Sequence, residues 1–368
     1  MAIVEEGASW TRAIDGLIAP GTSVAVGAAG RIVYARAGRV DRPPASAQKL
    51  LTSMAALDLL GPARRLPTVA AAERSPDAGV VRGDLWLVGS GDPELGGGDL
   101  AALARHVAAR GVRRVTGSVV GDTAALSRRW WAPGWVRGIS RRYVTRPTAL
   151  VYEGNRARLP ELAAAASFAS ALRGAGVTVD GGADAAPAPP RLRTIAAVRS
   201  DPLARLLLRQ NHGSLNLHAE ILLRVVGDAA AGAGTSAAGA EVVERWAASR
   251  GVRIRVRDGS GLSHLDAASA IDLAWLLLEA TREPWGDALL ASLPAPGRGT
   301  LAGRLAGVKV RAKTGTLFTI PVSSLAGYVR DADGRLVAFA VVSYGPSKAA
   351  ATAIEDGVVR VLAGASVD

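Results

Sequence analysis

Residues 22–28 (TSVAVGA) and 31–36 (RIVYAR) are short apolar, β-branched runs parted by Ala-Gly, the pattern of a β-hairpin, and a short helix over 9–19 precedes them. Pro43-Pro44 punctuates the chain. From Ser46 to Leu60 the residues Leu50, Leu51, Met54, Leu57 and Leu60 recur at helical spacing, until Gly61-Pro62 stops the run. Character then shifts. Residues 63–190 mix β-like runs at 84–89 and 114–121 with Gly- and Pro-rich turns, helices fit 99–110 and 160–174, and 181–192 (GGADAAPAPPRL) reads as a connector. Helical patterns dominate next, at 201–210, 214–227, 236–250, 267–281 and 285–292. The end returns to β character at 308–313, 322–330 and 335–344, followed by a helix over 347–363. Strands and helices at both ends, around a region of different texture, imply a discontinuous domain (1–62 and 195–368) interrupted by an inserted accessory domain (63–194).

With 368 residues, 49% of them apolar, the chain can bury a substantial core. Its formal charge is +12, carried almost wholly by arginine, since lysine occurs only at 49, 309, 313 and 348. A basic balance raises anionic partners such as nucleic acid, a membrane surface or an acidic cell-wall polymer. The arginines are dispersed, however, and no zinc-finger spacing or RNP-like stretch occurs, which argues against nucleic acid. The absence of cysteine excludes disulfides and thiolate catalysis. His106, His212, His218 and His264 are scattered without metal spacing, and no Walker-type loop is present, so neither a metal nor a cofactor is expected. No apolar run reaches the length of a membrane span, and the first residues show no basic segment followed by an apolar one, hence no visible signal peptide. The glycines of GSGDPELGGGD (89–99) read as a loop in preference to a phosphate cradle.

The Ser46-Ala-Gln-Lys49 stretch puts a hydroxyl and an amine one turn apart on one helix face. The amine can take the hydroxyl proton if burial against the apolar helix keeps it partly neutral. Alone, this spacing reads sooner as a Ser N-cap with a surface lysine. Two further elements change the balance: Ser214-Leu215-Asn216 opens a helical run, and Lys313-Thr314-Gly315-Thr316 ends a β-run. S-x-x-K, S-x-N and K-T-G in that order are the motif set of class A β-lactamases and penicillin-binding proteins. Ser46, Lys49, Ser214, Asn216 and Lys313 are accordingly the candidate catalytic residues, and Thr314, Gly315 and Thr316 the candidate substrate-binding ones. Ser214 can relay a proton to a leaving amine, and Asn216 can hold a substrate amide. Lys313 and Thr314 can hold a substrate carboxylate. Gly315 leaves a strand edge bare for an extended substrate. The backbone N–H groups of Ser46 and Thr316 can form an oxyanion hole.

Longer stretches extend the likeness. PPASAQKLLTSMAALDLLGP (43–62), DLWLVGSGDPEL (84–95), SLNLHAEILLR (214–224), DGSGLS (258–263), AKTGTL (312–317) and SSLAGYV (323–329) together resemble the class C, type-4 low-molecular-mass penicillin-binding proteins. The resemblance spans roughly residues 10 to 365. It implies an α+β penicillin-binding/β-lactamase-like transpeptidase fold, a five-stranded antiparallel sheet flanked by helices, with an insertion after the nucleophile helix. It also implies D-alanyl-D-alanine carboxypeptidase or endopeptidase activity on peptidoglycan stem peptides through an acyl-enzyme on Ser46, acylation by β-lactams, and an extracytoplasmic site of action. Departures accompany it. Leu215 stands where the family usually has Asp, His264 where it often has Arg, and the insertion is shorter than in the larger members. The family's grip on the diaminopimelate side chain has no counterpart in GDTAALSRRWW (121–131). A non-catalytic cell-wall binder and a β-lactamase remain as alternatives, the latter without an E-x-x-L-N element. Trp130, Trp131 and Trp135, beside Arg128, Arg129, Arg137, Arg141 and Arg142, read as partly buried core, with a glycan- or peptide-facing surface as the alternative. Oligomeric state is not encoded in any of these patterns.

Overall fold

The computed structural model describes residues 9–127, 129–138 and 140–368. Arg128 of the basic group, and the first eight residues of the stretch bearing on a signal peptide, lie outside the described residues. Along the chain, α1 (Ser9–Leu17), β1 (Thr22–Ala28), β2 (Arg31–Arg36) and α2 (Gln48–Leu60) come first. The next stretch holds β3 (Pro67–Ala72), β4 (Val80–Val81), β5 (Leu85–Gly89), α3 (Gly97–Ala109), β6 (Arg114–Val115) and β7 (Val119–Asp122). It continues with α4 (Ser140–Tyr143), α5 (Pro160–Gly174), β8 (Thr178–Val179), β9 (Ala183–Ala186) and β10 (Arg193–Arg199). Five helices follow: α6 (Leu203–Gly213), α7 (Asn216–Ala231), α8 (Ser236–Ala248), α9 (Ala270–Ala280) and α10 (Gly286–Ser292). The chain closes with β11 (Val310–Leu317), β12 (Val322–Arg330), β13 (Leu336–Tyr344) and α11 (Lys348–Ala363).

The terminal strands build one five-stranded antiparallel sheet in the order β11-β12-β13-β1-β2. Both faces are buried, so its strands read as continuous apolar runs, but the period of two still sorts the side chains. Val24, Val26, Leu325, Val329, Phe339 and Val341 face a core completed by Ile14 of α1 and by Ile354, Val358 and Leu362 of α11. Their neighbours Ala25, Ala326, Tyr328, Ala338, Ala340 and Val342 face the larger core formed by α2 and α6 to α10. Small residues on that second face let α9 lie close against β1 and β13. The α+β sheet-and-helix arrangement expected from the sequence is therefore present, with α2 buried over ten of its residues, Gln48 to Leu57.

The stretch between α2 and α6 has a sheet and core of its own. Strands run β10-β3-β5-β7-β9, with β10, β3 and β5 antiparallel and β5, β7 and β9 parallel, and α3 and α5 supply Leu100, Leu103, Val107, Phe168 and Leu172 to the core. A second, three-stranded parallel sheet joins β4, β6 and β8. The segment read as a connector, 181–192, contains β9, which pairs with β7 from Val119↔Ala183 to Asp122↔Ala186. Its Ala-rich sequence carries no alternating pattern. Backbone hydrogen bonding to a neighbour already in place makes the strand, which local propensity does not specify. Residue 194, the expected boundary, falls within β10, which pairs with β3 through to Arg199↔Pro67.

Phe168 is fully buried at the centre of the insertion's core. Phe168→Ala should lower stability by about 3–5 kcal/mol, read as a shift in the urea unfolding midpoint with the slope unchanged. A loss below about 1 kcal/mol would mean that this core is loosely packed.

Candidate active site

Ser46 sits in a 3-10 turn, Ala45–Ala47, that leads directly into α2. Ala45 adopts φ +50°, a left-handed conformation that costs a non-glycine residue about 1 kcal/mol or more and turns the chain sharply into the helix. Two glycines let neighbours close on this turn. A Cβ on Gly261 would lie 1.8 Å from Ala45 O, and one on Gly315 would lie 2.9 Å from Ser46 N and 3.0 Å from Pro44 O. Gly315 is thus needed where β11 packs against the serine turn. β11 is the outer strand of its sheet, and the expected use of its edge by an extended substrate is a separate matter from this packing.

Lys49 lies one turn on from Ser46 and is fully buried. Its ammonium donates to Ser46 Oγ at 3.0 Å, to Asn216 Oδ1 at 2.7 Å and to the carbonyl oxygen of Ser260 at 2.7 Å. All three donors of the ammonium are used. Burial lowers the Lys49 pKa to about 8, against the opposing pull of Asp258, Glu220 and Asp266. The sequence expectation that Lys49 is partly neutral rested on burial against the apolar helix, and burial is the dominant cause found here.

Asn216 and Ser214 come from the α6–α7 junction. Ser214 caps α6 at φ +52°, again left-handed, so that α7 restarts with Asn216 facing the serine turn. Asn216 Nδ2 donates to Tyr143 O at 2.9 Å, so its amide links Lys49 to the insertion. Lys313 on β11 is also fully buried and donates to Ser214 Oγ at 2.9 Å and Thr314 O at 2.7 Å. Burial, then the positive charge of Lys49, holds Lys313 well below the ordinary lysine range. The structure therefore assembles two Ser–Lys pairs. A cleft of about 220 Å³ opens over them, lined by Ser46, Ser214, Asn216 and Thr316, with Val136, Tyr143, Leu262, Leu317 and Phe318 as apolar walls. Tyr143 and Phe318 stack at its rim, ring centroids 6.4 Å apart.

Beneath Lys49 lies a buried polar layer that motif reading did not identify as part of the site. Glu220 Oε1 accepts the N–H groups of Gly259 and Ser260 at 3.0 and 2.9 Å. Asp258 accepts the N–H groups of Ser260, Gly261 and Ser263, and Trp135 Nε1 at 2.6 Å. These bonds shape the 258–263 loop so that Ser260 O faces Lys49. Burial, reinforced by the charge of Asp258, raises Glu220 to about 7 and pushes Asp266 well above the carboxylate range. Glu220 and Arg224, four residues apart inside an apolar helix, were a visible signal: charges on a buried face need partners. Arg224, fully buried, donates to Pro147 O and Arg129 O, pinning both ends of the 129–147 segment. That segment forms a strap across the site. Trp130, Trp131 and Trp135 pack edge-to-face within it, with Trp135 only 6% exposed, so they are partly buried core, as expected. Of the 89–99 stretch, residues 90–96 are a loop from β5 into α3, whose first turn holds 97–99, and Gly91 packs on Ile221 and Val225 of α7. No cluster of potential metal ligands occurs among the described residues.

Replacing Trp135 by Phe keeps the ring but leaves the buried Asp258 carboxylate one donor short. The loss should be about 1.5–3 kcal/mol, measured by thermal or urea unfolding. Unchanged stability would show that Asp258 does not depend on the strap.

Comparisons with known proteins identify the family and the fold. A model of the D-Ala-D-Ala carboxypeptidase 3 (S13) family matches residues 19–160 and 154–365. A D-alanyl-D-alanine carboxypeptidase of Actinomadura sp. (strain R39) is 32% identical, covering 95% of this chain and 82% of its own. That alignment runs over 446 positions, more than the 368 residues here, so the relative carries segments that this chain lacks. A carboxypeptidase DacB of Mycolicibacterium smegmatis is 32% identical over 89% of this chain and 76% of its own. Among solved structures, penicillin binding protein 4 of Haemophilus influenzae shares the fold with a TM-score of 0.82 at 22% identity, covering 96% of this chain and 99% of that one. The chain belongs to the D-Ala-D-Ala carboxypeptidase 3 (S13) family, whose members are serine peptidases.

Proposed function

We propose that this protein is a serine D-alanyl-D-alanine carboxypeptidase, with endopeptidase action on the same type of bond, acting on peptidoglycan stem peptides through an acyl-enzyme on Ser46. The observation that carries the reading is the fully buried Lys49 amine, 3.0 Å from Ser46 Oγ, with a pKa brought down to about 8. Neutral Lys49 takes the Ser46 proton as Oγ attacks the carbonyl of the penultimate D-Ala. The N–H groups of Ser46 and Thr316 stabilise the oxyanion. Ser214, held by Lys313, relays a proton to the departing amine of the terminal D-Ala, and the proton that Lys49 took from Ser46 replaces the one Ser214 gives up. Lys313, Thr314 and Thr316 receive the terminal carboxylate, and Asn216 holds the acyl-side amide. Water then releases the acyl group from Ser46 and restores the hydroxyl. A β-lactam ring amide enters the same path and leaves Ser46 acylated.

A non-catalytic cell-wall binder would have no use for a base with a lowered pKa, and a β-lactamase needs fast deacylation, which a Glu-held water supports in class A enzymes. Among the described residues no carboxylate lines the cleft, and the buried acids lie beneath Lys49, occupied by the 258–263 loop. Peptidoglycan as substrate places the site of action outside the cytoplasmic membrane, in the periplasm or at the cell wall. Among the described residues no helix is long and apolar enough to cross a membrane.

A fluorescent penicillin should label the protein stably, with labelling abolished in Ser46→Ala and slowed about 10²–10⁴-fold in Lys49→Met. Rapid loss of label would favour the β-lactamase, and no label would sink both enzymatic readings. The neutral amine is the reactive form and its share grows as pH rises through about 8. The acylation rate should therefore increase between pH 6 and 8, by about tenfold per unit at the acid end, and level off above. A rate that is flat or falls over this range would remove Lys49 as the base.

A further inference from the structure

A second recess adjoins the cleft, separated from it only by Tyr143 and Asn216, which line both. Its volume is about 390 Å³, and Arg141, Arg142 and Arg156 contribute to its wall, with Leu215 and the buried His218. None of the three guanidinium groups has an ion-pair or hydrogen-bond partner among the described residues. The nearby acids are engaged elsewhere: Glu94 with Arg209, and Glu153 with the N–H of Gly97. Desolvation and the positive charge of Arg209 bring the His218 pKa down to about 4, so at neutral pH it supplies no further charge. The middle residue of the S-x-N motif also lines this recess, and here it is the uncharged Leu215, so no internal carboxylate neutralises the arginines.

We propose that this recess is a subsite for a free carboxylate on the bound peptide, on the amino side of the scissile D-Ala-D-Ala bond. The proposal rests on the carboxypeptidase reading of the cleft. Asn216 and Tyr143 line both cavities, so a peptide whose acyl-side amide is held by Asn216 has its amino-terminal part beside the recess. The carboxylate assigned to it is the one carried two residues before the penultimate D-Ala. Three unpaired arginines match a carboxylate better than an amide, because each charge-assisted bond strengthens with the ligand's charge.

The test compares L-Ala-γ-D-Glu-L-Lys-D-Ala-D-Ala, with its free α-carboxylate, against the same peptide carrying a carboxamide there, by released D-Ala. The carboxylate peptide should show a KM about tenfold lower at similar kcat, a difference that 0.5 M salt diminishes. Arg141→Gln/Arg156→Gln should erase the difference by raising only the carboxylate peptide's KM. Leu215→Asp, which places an acid at a helix N-cap where it is well tolerated, should do the same. Penicillin labelling should be unchanged in both variants, which separates this proposal from the proposed activity: failure of labelling and of D-Ala release in the unmodified protein counts against the activity. Equal KM values for the two peptides in the unmodified protein, or an equal rise for both in the arginine variant, would overturn the subsite.

Discussion

The site depends on one constraint, the full burial of the Lys49 amine. A lysine sealed from water loses the hydration that favours its charged form, and its pKa falls. Unaided, that penalty would be large enough to unseat the side chain. Here the ammonium finds three oxygen acceptors and three acids nearby, and the opposing effects leave it near a pKa of 8, charged enough to be tolerated and neutral often enough to accept a proton. The acids below respond in the same environment: Glu220 and Asp266 are pushed upward, so the layer does not carry three full negative charges.

Because the lysine's acceptors come from separate parts of the chain, its position ties those parts together. Asn216 Oδ1 receives Lys49 while its Nδ2 holds Tyr143 O. Asp258 shapes the loop that offers Ser260 O while it also accepts Trp135 from the strap. Arg224 holds both ends of that strap from the buried face of α7. The stretch between α2 and α6 is therefore part of the site's wall. Tyr143 and Val136 set the cleft's shape, and the arginine-lined recess begins where the strap ends against α7.

Most of the elements were legible in the sequence because the terminal strands and the helices carry strong periodic patterns. Both strands of the first hairpin and β12 have the expected bounds. The weaker readings fell where local sequence has little to say. β9 is an Ala-rich strand made by pairing with β7, and β11 runs on through Leu317 because K-T-G itself is strand, held in register by Lys313↔Ala326 and Gly315↔Ser324. The missing side chain of Gly315 also makes room for the serine turn, a contact that no local pattern announces.

By itself the sequence determined which residue types could do the chemistry. Three short motifs in order supplied two serines, two scarce lysines and an asparagine, and a one-turn spacing was enough to put Ser46 and Lys49 together. Tertiary structure decided what no spacing along a chain contains: that Asn216 and Ser260 complete the lysine's acceptors, that Lys313 pairs with Ser214, and that Asp258 joins the strap to the loop. The physical reason is that a pKa and a hydrogen-bond network are set by burial and by neighbours arriving from hundreds of residues away. The lone motif Ser46–Lys49, which in sequence reads as a capped helix with a surface lysine, becomes a hydroxyl paired with a buried amine only when the rest of the fold closes over it.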